Sequence, residues 1–139
     1  MHAISHITFM ARDLDRMKAV LCEVLGAREI YDSIERNFSL SREKFFLLNG
    51  LWIAVMEGDS RERRSYEHVA FRVNREDLAA CIPKIEAMGL DILPPRPRKD
   101  GEGESLYFYD FDNHLFELHT GTLEERLACY GKLSPAEEC

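Results

Sequence analysis

Ser5-His6-Ile7-Thr8-Phe9 is answered later in the chain by Glu67-His68-Val69-Ala70-Phe71. Each run alternates in the manner of a half-buried strand, and each carries one histidine in the same register. The echo continues beyond the strands. In the first copy Asp13 caps a helix whose apolar positions Leu14, Met17, Leu21, Val24 and Leu25 recur at three- and four-residue spacing until Gly26 stops it. In the second, Asn74 caps, Glu76 and Asp77 complement the helix dipole, and Leu78, Ile82, Ile85 and Met88 form the buried stripe ahead of Gly89. Pro83 falls inside that helix, where a missing backbone bond predicts a kink at a cost of about 3 kcal/mol. The chain is an internal duplication.

Strand-like segments follow each helix: 27–31, 38–40, 45–48 and 51–57 in the first copy, and 91–93, 105–109 and 115–120 in the second. Each copy reads β-α-β-β-β, so the fold class is α+β. Residues 58–65, charged and turn-prone, link the copies, and 94–103, rich in Pro, Arg and Gly, form a long loop. Leu123, Arg126 and Leu127 mark a short C-terminal helix, and 133–139 a frayed tail. These boundaries give a single domain over 1–139, with module one at 1–60, module two at 65–121, and the C-terminal helix and tail at 122–139. A module of roughly 60 residues buries too little surface to stand alone. The two must pack together, each contributing a curved four-stranded sheet, with the first strands central and their histidines facing one cleft.

The 139 residues carry 18 Lys and Arg against 25 Asp and Glu, a formal charge of −7, with a pI near 5.2. That sign argues against nucleic acid, because neutralising phosphates takes a basic surplus. The longest uninterrupted apolar run, 51–56, falls far short of the roughly 20 residues that cross a bilayer. The sequence shows no signal-peptide pattern, and a cytoplasmic protein without a membrane partner is expected. Cys22, Cys81, Cys129 and Cys139 lack C-x-x-C spacing and read as free thiols, Cys22 and Cys81 being buried as small hydrophobes.

A lone strand histidine is usually structural, but a pseudo-twofold relating two copies brings His6 and His68 toward one point. In Asn113-His114-Leu115-Phe116-Glu117-Leu118-His119, alternation puts Leu115, Glu117 and His119 on one face and Phe116 and Leu118 on the other. Glu117 is thus a carboxylate on a strand suited to burial, and a divalent ion is the usual remedy for its cost. His6, His68 and Glu117 are the candidate metal ligands. Two neutral imidazoles and one carboxylate leave open positions, as in a catalytic rather than a structural site. Glu57 is a candidate fourth ligand by symmetry, with the solvated end of its strand as the alternative. His2, His114 and His119 have no duplicated partner and read as surface or supporting residues.

With these residues in place, the chain resembles the vicinal oxygen chelate (glyoxalase/bleomycin-resistance-like) superfamily. Gly50-Leu51-Trp52, Tyr66-Glu67-His68-Val69-Ala70-Phe71, Ser105-Leu106-Tyr107-Phe108-Tyr109-Asp110 and Phe116-Glu117-Leu118-His119-Thr120-Gly121 resemble its fosfomycin-resistance proteins, with a likeness covering residues 4–130. Phe38-Ser39-Leu40-Ser41-Arg42-Glu43-Lys44-Phe45-Phe46 and Gly101-Glu102-Gly103-Glu104-Ser105 are similar to the hydrolase subgroup called FosX.

The resemblance implies an enzyme that uses Mn(II), or another divalent ion, to open the oxirane of fosfomycin, an epoxy-phosphonate antibiotic, with water. It implies Lewis-acid help at the epoxide oxygen and Glu43 as general base for the attacking water. It places Thr8, Ser105, Tyr107 and Arg126 around the phosphonate, joined by cations of the long loop, Arg96 first, then Arg98 or Lys99. The guanidinium fork suits a tetrahedral oxyanion. Plainer roles stand beside these: Glu43 in a solvated charge run with Arg42 and Lys44, Thr8 as a strand former, Tyr107 as core, and Arg126 paired with Glu124 or Glu125. Tyr66 and Trp52 would shape the pocket wall. Gly101 stands where the glutathione-using relatives carry a potassium-binding serine, so potassium is not expected. The resemblance further implies a homodimer with modules exchanged between chains, each site drawing its halves from two subunits.

Other readings share these residues. A thiol transferase would add glutathione or another thiol to fosfomycin and need no protein base. A metal-free drug-binding module of the same fold would have no need of the ligand triad. A different native epoxide or phosphonate would leave fosfomycin opening as a side activity.

Overall fold

The computed structural model describes residues 3–131 apart from Glu35 and Asn37. Strands β1 (His6–Ala11), β2 (Arg28–Asp32), β3 (Glu43–Leu48) and β4 (Leu51–Glu57) form one sheet in the order β1-β4-β3-β2. Strands β5 (His68–Arg72), β6 (Ser105–Tyr109) and β7 (Leu115–His119) form a second in the order β5-β7-β6. Helices α1 (Leu14–Ala19) and α2 (Arg75–Ala87) follow the first strand of each half, and α3 (Leu123–Cys129) comes last. In both halves the first strand pairs in parallel with the last, β1 with β4 and β5 with β7, while the remaining pairs are antiparallel. The duplication seen in sequence is therefore a duplication of topology.

The caps explain the helix starts. The Asp13 carboxylate accepts from the backbone of Asp15 and Arg16, and the Asn74 side chain accepts from Asp77. Helix α1 runs on into a π-turn over Val20–Val24, which keeps Val20, Leu21 and Val24 all buried. Helix α2 continues through Pro83. Pro83 and Ala79, whose carbonyl loses its donor, are both exposed, so water can complete the missing bond.

Three expectations need correction. Residues 38–40 are an exposed loop and not a strand, with Phe38 and Leu40 76% and 97% exposed. Ile92 makes only an isolated bridge to Phe108, so the second sheet has three strands where four were expected. The first strands are edges of their sheets and not central, because each pairs on one side only. Their outer sides flank a cleft of about 420 Å³ lined by Thr8, Met10, His68 and His114 among others. The 133–139 tail, His2 and Cys139 lie outside the described residues. Cys81 is buried, with its thiol on the Val24 carbonyl at 3.2 Å, whereas Cys22 is only half-buried. Burial pushes both thiols above their ordinary pKa.

One core serves both halves. Phe9, Phe46, Ile53 and Val55 of the first sheet pack in a single cluster with Leu78, Ile85, Phe108, Phe116 and Leu118 of the second half. Phe9 meets Phe116 edge-on at 5.4 Å. The opposite face of each sheet carries the candidate site residues. On the first sheet, register aligns His6, Thr8 and Met10 with Trp52, Ala54 and Met56, and those with Leu47, Phe45 and Glu43. On the second it aligns His68, Ala70 and Arg72 with Leu115, Glu117 and His119, and those with Tyr109, Tyr107 and Ser105.

The linker is fastened to the β6–β7 turn. The Asp112 carboxylate accepts from the Arg12 amide at 2.9 Å and from the Ser60 hydroxyl, and its carbonyl accepts from the Arg61 amide. Asn113 donates to the Arg61 carbonyl at 2.8 Å. Asp110 organises the turn, taking the amides of Asp112 and His114 and facing the buried His114 ring at 2.8 Å. Among the described residues no helix is long and apolar enough to cross a membrane.

Residues 42–44 are not a solvated charge run. Lys44 is buried, with Nζ 2.8 Å from Asp32, 3.2 Å from Glu29 and 3.4 Å from Asp15, and Arg42 also reaches Asp32. Glu43 takes the opposite face. The Lys44 hydrogen bond, opposed by burial and aided by Arg42, holds the Asp32 carboxyl below its usual range. Its contribution is therefore complete above the ordinary aspartate value and fades as pH falls through the depressed one. Lys44→Met should lower stability by about 3 kcal/mol at pH 7, since it leaves carboxylates without their cation. Urea unfolding checks this, and the gap from wild type should narrow in acid as Asp32 protonates.

Candidate metal and anion site

Glu117 lies on β7, the middle strand of its sheet, and is only 5% exposed. Its Oε1 accepts from Ser105 Oγ at 2.5 Å, and its Oε2 stands 3.0 Å from His68 Nε2. Burial works against the charge. Hydrogen bonds from Ser105 and Tyr107, with His68 and His119 nearby, outweigh it and hold the carboxyl below its usual range.

His68 Nδ1 is 2.7 Å from the Tyr66 carbonyl oxygen. A carbonyl only accepts, so Nδ1 carries the proton, and Nε2 of the neutral ring turns a lone pair toward Glu117. Two acceptors 3.0 Å apart need a cation: a second ring proton, or a metal ion. Adjacent donors each about 2.1 Å from one octahedral ion stand about 3.0 Å apart, so the pair fits a divalent ion. The Tyr66 carbonyl fixes the tautomer such a ligand requires.

A second deficit lies beside the first. Both terminal nitrogens of Arg98 are buried without a hydrogen-bond partner, one of them 3.7 Å from Glu117 Oε1. The other lies 3.6 Å from Glu102 Oε1, so two carboxylates offset the charge while the N–H donors still lack an acceptor within hydrogen-bond reach, a state that suits an oxyanion between them. Arg98 is seated by the 94–103 loop, which gathers on buried Glu102. That carboxylate takes Arg96 at 2.5 Å, the Lys99 amide at 3.1 Å and the Tyr130 hydroxyl at 3.0 Å. Arg96 first, then the Lys99 amide, lower the Glu102 pKa to about 2. The Cys129 thiol on the Asp100 carbonyl completes the clasp from α3. Arg96 is thus engaged by Glu102 and the Pro97 carbonyl, and the loop cation facing Glu117 is Arg98.

The remaining module-two residues converge. Ser105 sits between Glu117 and His119, whose Nδ1 is 2.6 Å from its hydroxyl. Arg126 points a terminal nitrogen at His119 Nε2, 3.4 Å away. No ion pair to Glu124 or Glu125 is formed among the described residues, and Glu125 closes a capping box with Thr122. Tyr107 is buried, edge-on to His68 at 5.3 Å and tilted against Tyr66 at 5.7 Å. Burial first, then bonds to Tyr66 and Glu117, push its hydroxyl far above the usual range. Burial lowers the His119 pKa, against the pull of Glu117.

His6, Thr8 and Glu43 belong to the other sheet. The His6 ring stacks on Trp52 with centroids 4.2 Å apart, and Glu43 is in register with Met56. Among the described residues no three His, Cys, Asp or Glu side chains gather to hold a metal. One chain therefore brings together His68 and Glu117 but not His6, and exposed Glu57 has no metal companion. His119 was legible through the two-residue period from Glu117. Arg98 had no signal separating it from Arg96, because both lie in an irregular loop.

Residues 3–118 match the model of the Glyoxalase/Bleomycin resistance protein/Dioxygenase superfamily, and the chain belongs to that superfamily. Within it, the chain is similar to fosfomycin resistance protein FosX of Listeria monocytogenes serovar 1/2a, at 55% identity over 127 residues, 91% of this chain and 96% of the relative. FosX of Mesorhizobium japonicum is 54% identical over 125 residues, 90% of each chain. Metallothiol transferase FosB of Shouchella clausii is 38% identical over 146 residues, 96% of this chain and 90% of the relative. The crystal structure of a Listeria FosX variant complexed with Mn(II) and 1S,2S-dihydroxypropylphosphonic acid superposes with a TM-score of 0.84 at 50% identity, over 94% of this chain and 98% of that one.

Glu102→Gln should loosen the loop that seats Arg98. Limited proteolysis at pH 7 is expected to cut within 94–103 several-fold faster than in wild type, with helix content by circular dichroism unchanged.

Proposed function

We propose that this protein is a Mn(II)-dependent hydrolase that opens the epoxide of fosfomycin with water. Two features of the second sheet carry the reading: His68 Nε2 and Glu117 Oε2 face each other at a spacing that suits a shared cation, and the N–H donors of adjacent Arg98 lack a hydrogen-bond acceptor. A metal ion bearing a phosphonate meets both needs at once. The FosX relatives support it, as does the dihydroxypropylphosphonic acid bound with Mn(II) in the Listeria protein. That compound is the diol left when water opens an epoxypropylphosphonate.

His6, His68 and Glu117 hold the ion. When bound, it supplies Lewis acidity to the epoxide oxygen as the carbon–oxygen bond breaks. Arg98 and Arg126 grip the phosphonate oxygens and the Thr8 hydroxyl fixes its rotation, while Ser105 and Tyr107, whose protons go to Glu117, line the site beside it. Arg98 takes the place expected of Arg96. Glu43 accepts one proton from water as the water oxygen attacks the phosphonate-bearing carbon, the second proton stays on the new hydroxyl, the opened epoxide oxygen takes a proton from solvent to complete the diol, and Glu43 returns its own to solvent. Lys44 and Arg42 do not compete for Glu43, because Asp32 and Glu29 hold them.

A second copy completes each site. Within one chain His6 does not gather with His68 and Glu117 among the described residues, and exchange of modules brings it to them from the partner chain. Exposed Ile4, Met10, Phe38 and Leu40 supply apolar surface for that contact. The free thiols fit a cytoplasmic location.

Phosphorus NMR of fosfomycin with protein and Mn(II), without thiol, should show the diol; product only when a thiol is added would support the transferase reading. Glu43→Gln should slow diol formation by roughly 10²–10⁴-fold. Exchange predicts complementation. Dimers carrying His6→Ala in one chain and His68→Ala in the other concentrate both lesions in one site and should keep about half the wild-type activity. Each single variant alone should be inactive, and an inactive mixed dimer would sink the exchange.

A further inference from the structure

His119 is two residues from Glu117 on the same face of β7 and pairs across the sheet with Ser105. Ser105 Oγ is 2.5 Å from Glu117 Oε1 and 2.6 Å from His119 Nδ1. A hydroxyl has one proton. The carboxylate can only accept, so that proton goes to Glu117, and the bond to the imidazole exists only if Nδ1 donates into the serine oxygen. The tautomer is thereby fixed with Nε2 bare, and that lone pair faces the Arg126 guanidinium at 3.4 Å. Every bond then runs one way: Arg126 donates to His119, His119 to Ser105, and Ser105 to Glu117. Reversing the ring tautomer would set N–H against N–H at Arg126 and leave Ser105 without its donor. The order also excludes Ser105 as a nucleophile activated by His119, since the imidazole gives a proton toward the hydroxyl and takes none.

The ring is confined as well as bonded. A Cβ on Gly121 would stand 2.8 Å from His119 Nε2, and one on Gly103 would stand 3.3 Å from Cε1. Only backbone without side chains borders the ring there. Arginine loses much rotamer freedom when it is held for a ligand, and an acceptor already in place meets that cost before the ligand arrives.

We infer that His119 is a positioning residue that links the metal-ligand carboxylate to the phosphonate cation and aims Arg126 through its bare Nε2. The inference rests on the proposed function for the identity of the anion. Two substitutions separate its ends. His119→Asn keeps an amide donor where Nδ1 stands and removes the acceptor for Arg126; His119→Gln carries an amide oxygen out to the Nε2 position. His119→Asn should raise KM for fosfomycin about tenfold with kcat within about threefold, and His119→Gln should recover most of that loss. Mn(II) affinity, read by electron paramagnetic resonance, should stay at the wild-type value in both. On an Arg126→Ala background His119→Asn should add nothing to KM. Nitrogen-15 NMR of the metal-free protein should show Nδ1 protonated and Nε2 bare.

An unchanged KM in His119→Asn, an undiminished effect without Arg126, equal damage in both variants, or the reversed tautomer would overturn the inference. Titration of the Mn(II)-loaded protein with methylphosphonate keeps it distinguishable from the hydrolase reading. If no diol forms yet methylphosphonate binds about tenfold more weakly to His119→Asn, the hydrolase fails and the positioning role stands. Equal methylphosphonate affinity in wild type and His119→Asn sinks the positioning role.

Discussion

A charged carboxylate on the middle strand of a three-stranded sheet is the constraint around which this molecule is arranged. Glu117 cannot shed its charge to water, so neighbours on both flanking strands must answer it: His68 from β5, Ser105 and Tyr107 from β6. Ser105 meets one oxygen, and the other faces His68 Nε2 at 3.0 Å, a contact completed by a ring proton or by a metal ion. A site built this way favours a cation, and the Arg98 donors left without an acceptor favour an oxyanion beside it. Removing either charge alone would leave its opposite exposed in a medium of low dielectric, where unpaired charges are expensive.

The topology lets one strand pattern serve stability and chemistry together. Odd and even positions of β7 divide cleanly: Phe116 and Leu118 enter the common core, while Leu115, Glu117 and His119 face the site. A one-residue slip would exchange those sets, so core packing fixes the register on which the site depends. The loop bearing Arg98 has no such register. It is held by α3 through Glu102, Tyr130 and Cys129 instead.

The duplication, both helix caps and the alternation around Glu117 were legible because they are local patterns with fixed periods. Residues 38–40 misled because Phe38 and Leu40 look like strand formers, yet among the described residues both are left exposed. Arg42-Glu43-Lys44 looked like solvated charge; the cage of Asp15, Glu29 and Asp32 around Lys44 is made by residues distant in sequence, which no short window reveals. The placement of His6 apart from His68 was hidden for the same reason. Symmetry of sequence says that two modules are alike, and says nothing of which chain's module each one faces.

The fastening of the linker to Asp112 bears on that choice. Its bonds go largely to backbone amides and carbonyls of residues 12 and 61, so side chains there can vary freely, but the span between β4 and β5 cannot. A few inserted residues would slacken the tether that, with the shared core, sets how the two modules of one chain lie against each other. Under the proposed exchange of modules, the length of one surface loop decides whether activity depends on the concentration at which two chains meet.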